Sequence, residues 1–167
     1  MIDATSIIDY TYDDFTHGID NIVALLQDPE LGFKPDYIVG IVRGGAIPAV
    51  YLSHKLKIPV QMVHWSTRDK TDDWGNESNC WIPEDLLAGK KILLVDDIID
   101  GGETIKEILE DWHRSTRGLG DLPLQNIQLV CMYYNTAQES FTGINVISDR
   151  TIDRRYDKRW IHYPWEG

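Results

Sequence analysis

Between Ile92 and Thr104 the chain passes from an apolar stretch into three aspartates, two adjacent glycines, a glutamate and a threonine. No other stretch restricts the fold as much. Ile92-Leu93-Leu94-Val95 reads as a fully buried strand, because an unbroken apolar run leaves no face for solvent. Behind Thr104, the residues Ile105, Ile108, Leu109 and Trp112 recur at helical spacing and predict a helix with one apolar face. A strand, an acidic edge, a glycine turn and a helix start therefore follow one another without a gap. Gly101 and Gly102 permit a tight turn, in which the amides of Gly101 to Thr104 converge at the positive end of the helix dipole. This is a cradle for an anion such as phosphate, and the Thr104 hydroxyl adds a donor.

Carboxylates beside a phosphate cradle need neutral or cationic partners, since like charges repel. Asp96 and Asp97 suit sugar hydroxyls, as an acid does for ribose in dinucleotide folds, or Mg2+ held directly or through water. Asp100, next to the cradle, is placed to take a proton from a nitrogen nucleophile. An isolated Asp-Asp reads better as a strand end with solvated acids followed by a helix cap; the complete ordered string reverses that. The acidic strand of a nucleotide hydrolase requires a Gly-x-x-x-x-Gly-Lys-Ser/Thr loop, and the chain contains none.

The string resembles the phosphoribosyl-pyrophosphate binding motif of type I phosphoribosyltransferases, usually two apolar residues and then Asp-Asp-x-x-Asp-Thr-Gly-x-Thr. It departs at Gly101, where the family usually has threonine; one hydroxyl is lost from the phosphate loop and the amide remains. The resemblance implies that Asp96, Asp97, Gly101, Gly102, Glu103 and Thr104 bind phosphoribosyl pyrophosphate. It also implies that Asp96 and Asp97 hold Mg2+, the expected cofactor, directly or through water, and that Asp100 is the catalytic general base.

Three other segments fall into place around this one. Tyr37 to Val42 reads as a second buried strand, followed by Arg43-Gly44-Gly45 and by a helix with Pro48 in its first turn, running to Leu56. Arg-Gly-Gly alone is as readily a plain turn. The family carries a pyrophosphate loop there, often Ser-Arg-Gly-Gly, so the resemblance implies Arg43, Gly44 and Gly45 as pyrophosphate-binding, with Val42 at the usual serine. Val60 to His64 is a third strand. The polar segment from Trp65 to Pro83 is long for an idle loop, and it coincides with the family's flexible loop; Arg68 and Lys70 are its cations, with solvated surface the stronger reading of each. Ile127 to Tyr133 reads as a fourth core strand with Asn135 just past its end, and Phe141 to Ile147 as a short edge strand.

Both ends of the chain are plainer. Thr11 is an expected N-cap for a packing helix bearing Phe15, Ile19, Ile22, Val23 and Leu26, with His17 on its surface. Residues 149–159 mix five cations with three acids, which suits a solvated or subunit-contact segment. Trp160-Ile161-His162-Tyr163-Pro164-Trp165-Glu166 is aromatic enough to be a packing anchor, or to give a heteroaromatic ligand a flat wall in Trp160. It is similar to the C-terminal segment of bacterial xanthine-guanine phosphoribosyltransferases. There the first tryptophan stacks on the purine and the backbone around the next residue reads its edge, which implies Trp160 and Ile161 as purine-binding. Asn135 is the third such residue. It stands where relatives that use 6-oxopurines place a lysine donating to O6. Guanine and hypoxanthine therefore rank ahead of xanthine, with adenine left open.

The implied fold is α/β: one domain over residues 1–167, with a mostly parallel central sheet flanked by helices, a flexible loop at about 65–83 and a small C-terminal hood at about 148–167. In such a sheet ligands bind beyond the carboxyl ends of the strands, and the four special segments each follow a different strand at that edge. A formal net charge of −11 disfavours nucleic acid and anionic membranes as partners. Cys80 and Cys131 are too few for a disulfide scaffold or a thiolate zinc site, and Cys131 reads as a buried thiol. The first residues do not read as a signal peptide, and no apolar run is long enough to span a bilayer, so the cytosol is the expected location.

The function expected is that of a purine phosphoribosyltransferase in salvage, with phosphoribosyl pyrophosphate and a purine base as partners. The resemblance implies a homo-oligomer, dimer or tetramer. The alternatives are a non-catalytic regulator that senses phosphoribosyl pyrophosphate, supported by the basic residues from Arg150 to Arg159, and a transferase for another base such as orotate.

Overall fold

A computed structural model describes residues 6–67, 81–138 and 143–167. Strands and helices alternate as β1 (Ile7–Asp9), α1 (Tyr12–Leu26), β2 (Tyr37–Val42), α2 (Ala46–Leu56), β3 (Val60–His64), α3 (Ile82–Leu87), β4 (Ile92–Val95), β5 (Ile98–Ile99), α4 (Glu103–Ser115), β6 (Ile127–Asn135), β7 (Asn145–Ile152) and β8 (Trp160–His162). Six of the strands form one sheet in which β3, β2, β4, β6 and β7 lie side by side and every pairing is parallel. β4 and β5 share one edge of β6: β4 pairs with Ile127 to Val130 and β5 with Tyr133 and Tyr134. They are one strand interrupted at Asp96 and Asp97. Among the described residues, no helix is long and apolar enough to cross a membrane.

The apolar runs are continuous because both faces of the sheet are covered. On one face, Ile38, Leu93, Val95, Val130 and Met132 pack with Phe15, Ile19 and Ile22 of α1 and Ala49 and Leu52 of α2. On the other, Val39, Ile41, Leu94, Leu129 and Cys131 pack with Leu86 of α3 and Ile105, Ile108 and Trp112 of α4. Neighbours such as Ile38 and Val39, or Leu93 and Leu94, go to opposite faces, as strand geometry requires. Each fully buried side chain of this kind contributes about 1.5–3 kcal/mol through lost apolar surface. Burial also pushes the Cys131 thiol up, which keeps it unreactive. Thr11 does cap α1, in a reciprocal box with Asp14: the Asp14 amide donates to Thr11 Oγ1 at 3.1 Å and the Thr11 amide to Asp14 Oδ2 at 3.0 Å.

Several boundaries differ from those read off the sequence. β6 runs two residues further and takes in Asn135, because its register with β7 continues to Asn135 opposite Ile152. Among the described residues the edge strand runs Asn145–Ile152, with Phe141 of the expected strand outside them, so the first part of residues 149–159 belongs to the sheet while Arg150 and Thr151 stay exposed. Pro83, expected to close the polar loop, already lies in α3. Arg68 and Lys70 fall outside the described residues. The small second sheet pairs β8 with β1, Ile7 opposite Trp160 and Ile8 opposite Ile161. The hood therefore contains a strand from the other end of the chain, which no local pattern announced.

Candidate active site

Because all six strands are parallel, the carboxyl ends of β2, β4, β5 and β6 share one edge of the sheet. At that edge lies a cleft of about 710 Å3, lined by residues 96–105 together with Trp65, Glu107, Arg154, Trp160, Ile161, Tyr163 and Glu166. It forms where the central strand breaks. The Asp97 carbonyl accepts from the amides of Met132 and Tyr133 at 2.9 and 3.2 Å and from the Tyr163 hydroxyl at 3.0 Å, which pins the break from two sides. The Asp97 amide donates to Asp96 Oδ1 at 2.9 Å, and the Ile98 amide to Asp97 Oδ1 at 2.8 Å.

The two acids are in uncomfortable company. Burial raises the Asp96 carboxyl well above its ordinary 3.8, and the charge of Asp97 adds to this. Burial raises Asp97 too, and Glu166 adds to it. Of the charged side chains lining the cleft, Asp96, Asp97, Asp100, Glu103, Glu107 and Glu166 are acidic, and among the described residues Arg154 is the one cation. A fully anionic ligand enters such a cleft only with cations of its own and with main-chain donors. Gly102, with φ of 81°, starts α4 without any side-chain cap, so the first amides of the helix are open to an anion. Glu103 is exposed, and its carboxylate lies where a Cβ on Gly101 would be, 2.3 Å from that position. A threonine at 101 would therefore require Glu103 to move.

The glycines after β2 are held by close approach. A Cβ on Gly45 would lie 2.2 Å from the Val95 carbonyl oxygen, and one on Gly44 would lie 2.4 Å from the Asp97 carboxyl carbon. Arg43-Gly44-Gly45 is thus packed against the acidic break, although none of the three lines the cleft itself and Arg43 is exposed. The Val42–Arg43 peptide bond is cis.

Asn135 does not line the cleft; it is 7% exposed and fully engaged. Its Nδ2 donates to the Asp100 carbonyl at 3.1 Å and to Asp100 Oδ1 at 3.3 Å, while its Oδ1 accepts from the amides of Ala137 and Arg154. The amide expected to face a base is thus hydrogen-bonded to Asp100 in this fold, which it orients. Arg154 Nε donates to the same Asp100 oxygen at 3.2 Å. The aromatic C-terminus divides between its two readings. Tyr163 and Trp165 stack with centroids 5.1 Å apart and pack against Tyr10 and Phe15, which is an anchor. Trp160 is half-exposed on the cleft wall, and Ile161 beside it is buried.

Sequence reasoning missed Arg154, Tyr163 and β1. Arg154 is one of five cations in a short polar segment, and spacing alone does not separate it from its neighbours. Tyr163 did carry a signal, as an aromatic residue inside the segment already singled out.

Known proteins bear on this geometry. A family model described as the phosphoribosyl transferase domain matches residues 12–150. A xanthine-guanine phosphoribosyltransferase of Idiomarina loihiensis is 29% identical over 133 residues, which is 77% of this chain and 70% of the relative. The crystal structure of a hypothetical protein from Neisseria gonorrhoeae with bound ppGpp superposes with a TM-score of 0.73 at 26% identity, covering 97% of this chain and 90% of that one. A purine phosphoribosyltransferase from Pyrococcus horikoshii superposes at 0.65 with 24% identity, over 97% and 95% of the two chains, and shares the fold.

Proposed function

The chain belongs to the phosphoribosyl transferase family, and we propose that it transfers the 5-phosphoribosyl group from phosphoribosyl pyrophosphate to a purine base, giving a nucleotide and pyrophosphate. One observation carries this reading: the strand break at Asp96 and Asp97, Asp100, the uncapped start of α4 and the exposed face of Trp160 open onto a single cleft. Support for a purine comes from the xanthine-guanine relative and from the neisserial protein, whose bound ppGpp is a phosphorylated guanine nucleotide.

In this reading the 5′-phosphate rests on the amides of Gly101 to Thr104, with Glu103 turned away, and the ribose hydroxyls face Asp96 and Asp97. Mg2+ would be held by these two carboxylates, directly or through water, and would neutralise the pyrophosphate. The donor set fits such an ion, because Mg2+ is usually shared between one or two carboxylates and substrate oxygens. Among the described residues, no cluster of three or more ligands forms a separate metal cage. Arg43, Gly44 and Gly45 receive the departing pyrophosphate. As the bond from the ribose carbon to pyrophosphate breaks, a purine imidazole nitrogen bonds to that carbon through an oxocarbenium-like state. The other imidazole nitrogen releases its proton to Asp100, a general-base step worth about a hundred- to ten-thousand-fold. Asn135 orients Asp100, and Trp160 with the backbone at Ile161 holds the base. We place the reaction in cytosolic purine salvage and the enzyme in a dimer or tetramer.

A non-catalytic sensor with the same pocket is the second reading, favoured by the nucleotide bound to the neisserial protein. A sensor has no use for an acid held at Asp100 by two separate donors. The discriminating experiment supplies free purines, orotate and uracil in turn, with phosphoribosyl pyrophosphate and Mg2+, and follows pyrophosphate release. Release with a purine supports the enzyme; binding without release for every base leaves the sensor.

A further inference from the structure

We propose that Arg154 determines base specificity by donating to O6, in place of the lysine that the sequence lacks, so that the site selects 6-oxopurines over adenine. This rests on the purine transferase reading. Arg154 lies between β7 and β8, and its side chain, 17% exposed, is the one cation among the described residues that line the cleft. Its hydrogen bonds divide it in two. Nε donates to Asp100 Oδ1 at 3.2 Å, and Nη1 donates to the main-chain carbonyls of Asp157 and Arg159. Among the described residues Nη2 meets no acceptor, so two N–H donors of the guanidinium remain open. Asp100 is divided in the same way. Oδ1 accepts from both Asn135 and Arg154, and Oδ2 has no donor among the described residues. The pair thus presents one open acceptor and, beside it, one open cationic donor.

A purine edge has the matching pattern. When N9 attacks the ribose, the imidazole proton sits on N7, and the neighbouring substituent on carbon 6 is an acceptor in guanine, hypoxanthine and xanthine. N7–H then donates to Asp100 Oδ2 while O6 accepts from Arg154 Nη2. Adenine carries an amino group on carbon 6, which would set donor against donor and leave the open N–H groups of Arg154 without an acceptor. Arginine reads guanine at this same edge in nucleic acids, for the same reason of charge and geometry. The Nη1 bonds to the carbonyls of Asp157 and Arg159 fix the guanidinium just ahead of β8, where Trp160 stands. Asn135 supports this placement, because its Oδ1 accepts from the Arg154 amide at 3.2 Å. Xanthine, ranked low because a lysine was missing, regains a cationic partner.

The test compares wild type with Arg154→Gln and Arg154→Met on guanine, hypoxanthine, xanthine and adenine, with phosphoribosyl-pyrophosphate binding measured separately by titration calorimetry. In wild type, kcat/KM for guanine exceeds that for adenine by at least about a hundredfold, a floor below the roughly ten-thousandfold by which a site built around a hydrogen bond can reject a substrate without the matching group. Arg154→Met lowers guanine turnover about ten- to a hundredfold, the loss expected for a charge-assisted hydrogen bond, and leaves phosphoribosyl-pyrophosphate affinity within about threefold. Arg154→Gln, whose carbonyl accepts from an amino group, raises adenine relative to guanine by at least about tenfold. That second variant keeps polar atoms for the carbonyls of residues 157 and 159, so it reports even if the methionine variant does not fold. An unchanged guanine-to-adenine ratio in Arg154→Gln overturns this proposal while leaving the purine transferase intact. A wild type that releases pyrophosphate with orotate and with no purine overturns both.

Discussion

The two halves of the cleft, the one we assign to phosphate and the one we assign to the base, are built in opposite ways. The phosphate side is one unbroken run of chain: β4, the acidic break, the glycine turn and the start of α4 follow in order from Ile92 to Glu103. Its geometry is set by main-chain amides and by backbone packing so close that a Cβ on Gly45 would lie 2.2 Å from a carbonyl oxygen. The base side is assembled from distant pieces: β1 and β8, which lie far apart in sequence, Asn135 as the last residue of β6, and Arg154 just after β7. It is set by side chains. Chemistry common to a family belongs on the first kind of surface, which tolerates little change. Specificity belongs on the second, where one substitution alters a contact without disturbing the sheet.

That contrast can be broken in order of expected effect. Asp100→Asn keeps the hydrogen bonds from Asn135 and Arg154 to Oδ1 but cannot take a proton. It is expected to lower kcat by at least about a hundredfold, with phosphoribosyl-pyrophosphate affinity unchanged in calorimetry. Gly45→Ala strikes the backbone packing and is expected to destabilise the fold by about 1–3 kcal/mol in urea unfolding, as overpacking does. An alanine tolerated there would mean that the phosphate side is not as tightly packed as described. Removal of the residues through Asp9 deletes β1 and loosens Trp160. The purine KM is expected to rise about two- to tenfold, the value of an aromatic stacking contact, while phosphoribosyl-pyrophosphate affinity stays the same. A loss of that affinity would instead join the two halves into one unit.

Two smaller effects sharpen the comparison. Burial raises the Asp96 and Asp97 carboxyls above 3.8, so folding favours their protonated forms more than the unfolded chain does. Their contribution to stability is complete below 3.8 and is lost as pH rises through the raised values of the folded state. In EDTA, Asp96→Asn should melt at an increasingly higher temperature than wild type as the pH is taken from about 4 to 7. Phosphoribosyl pyrophosphate with Mg2+ should reverse that order, because the ionised acid then has its partners. Arg155→Ala is the smallest. Arg155 pairs with Asp153 at the surface, and an exposed pair of this sort is worth about 0–1 kcal/mol; turnover should stay within about twofold, next door to the large effect at Arg154.

What could be read from the chain follows the same division. The spans of α1, β2, β3 and β4 were legible, because apolar periodicity, Thr11 as a cap and Pro48 act within a few residues of where they sit. So were the acidic strand end, the glycine turn and the helix start, since Asp96 to Thr104 are contiguous and their residue types restrict one another. Asn135 was placed near the right strand end, but its hydrogen bonds to Asp100 were not legible. Whether an amide faces a ligand or a neighbouring carboxylate depends on Asp100 and Ala137, which lie outside any local window. Arg154 was hidden for a similar reason: five cations in one polar segment look alike until tertiary packing half-buries one of them beside a carboxylate. The β1–β8 pair joins residues some 150 positions apart in the chain, and three-residue strands carry almost no periodicity.

The most direct test is a crystal structure of the chain with guanosine 5′-monophosphate and Mg2+. The phosphate should lie on the amides of Gly101 to Thr104, the ribose hydroxyls against Asp96 and Asp97, and the base against Trp160 with O6 toward Arg154. A nucleotide bound elsewhere, with the turn after Asp100 unoccupied by its phosphate, would contradict the account.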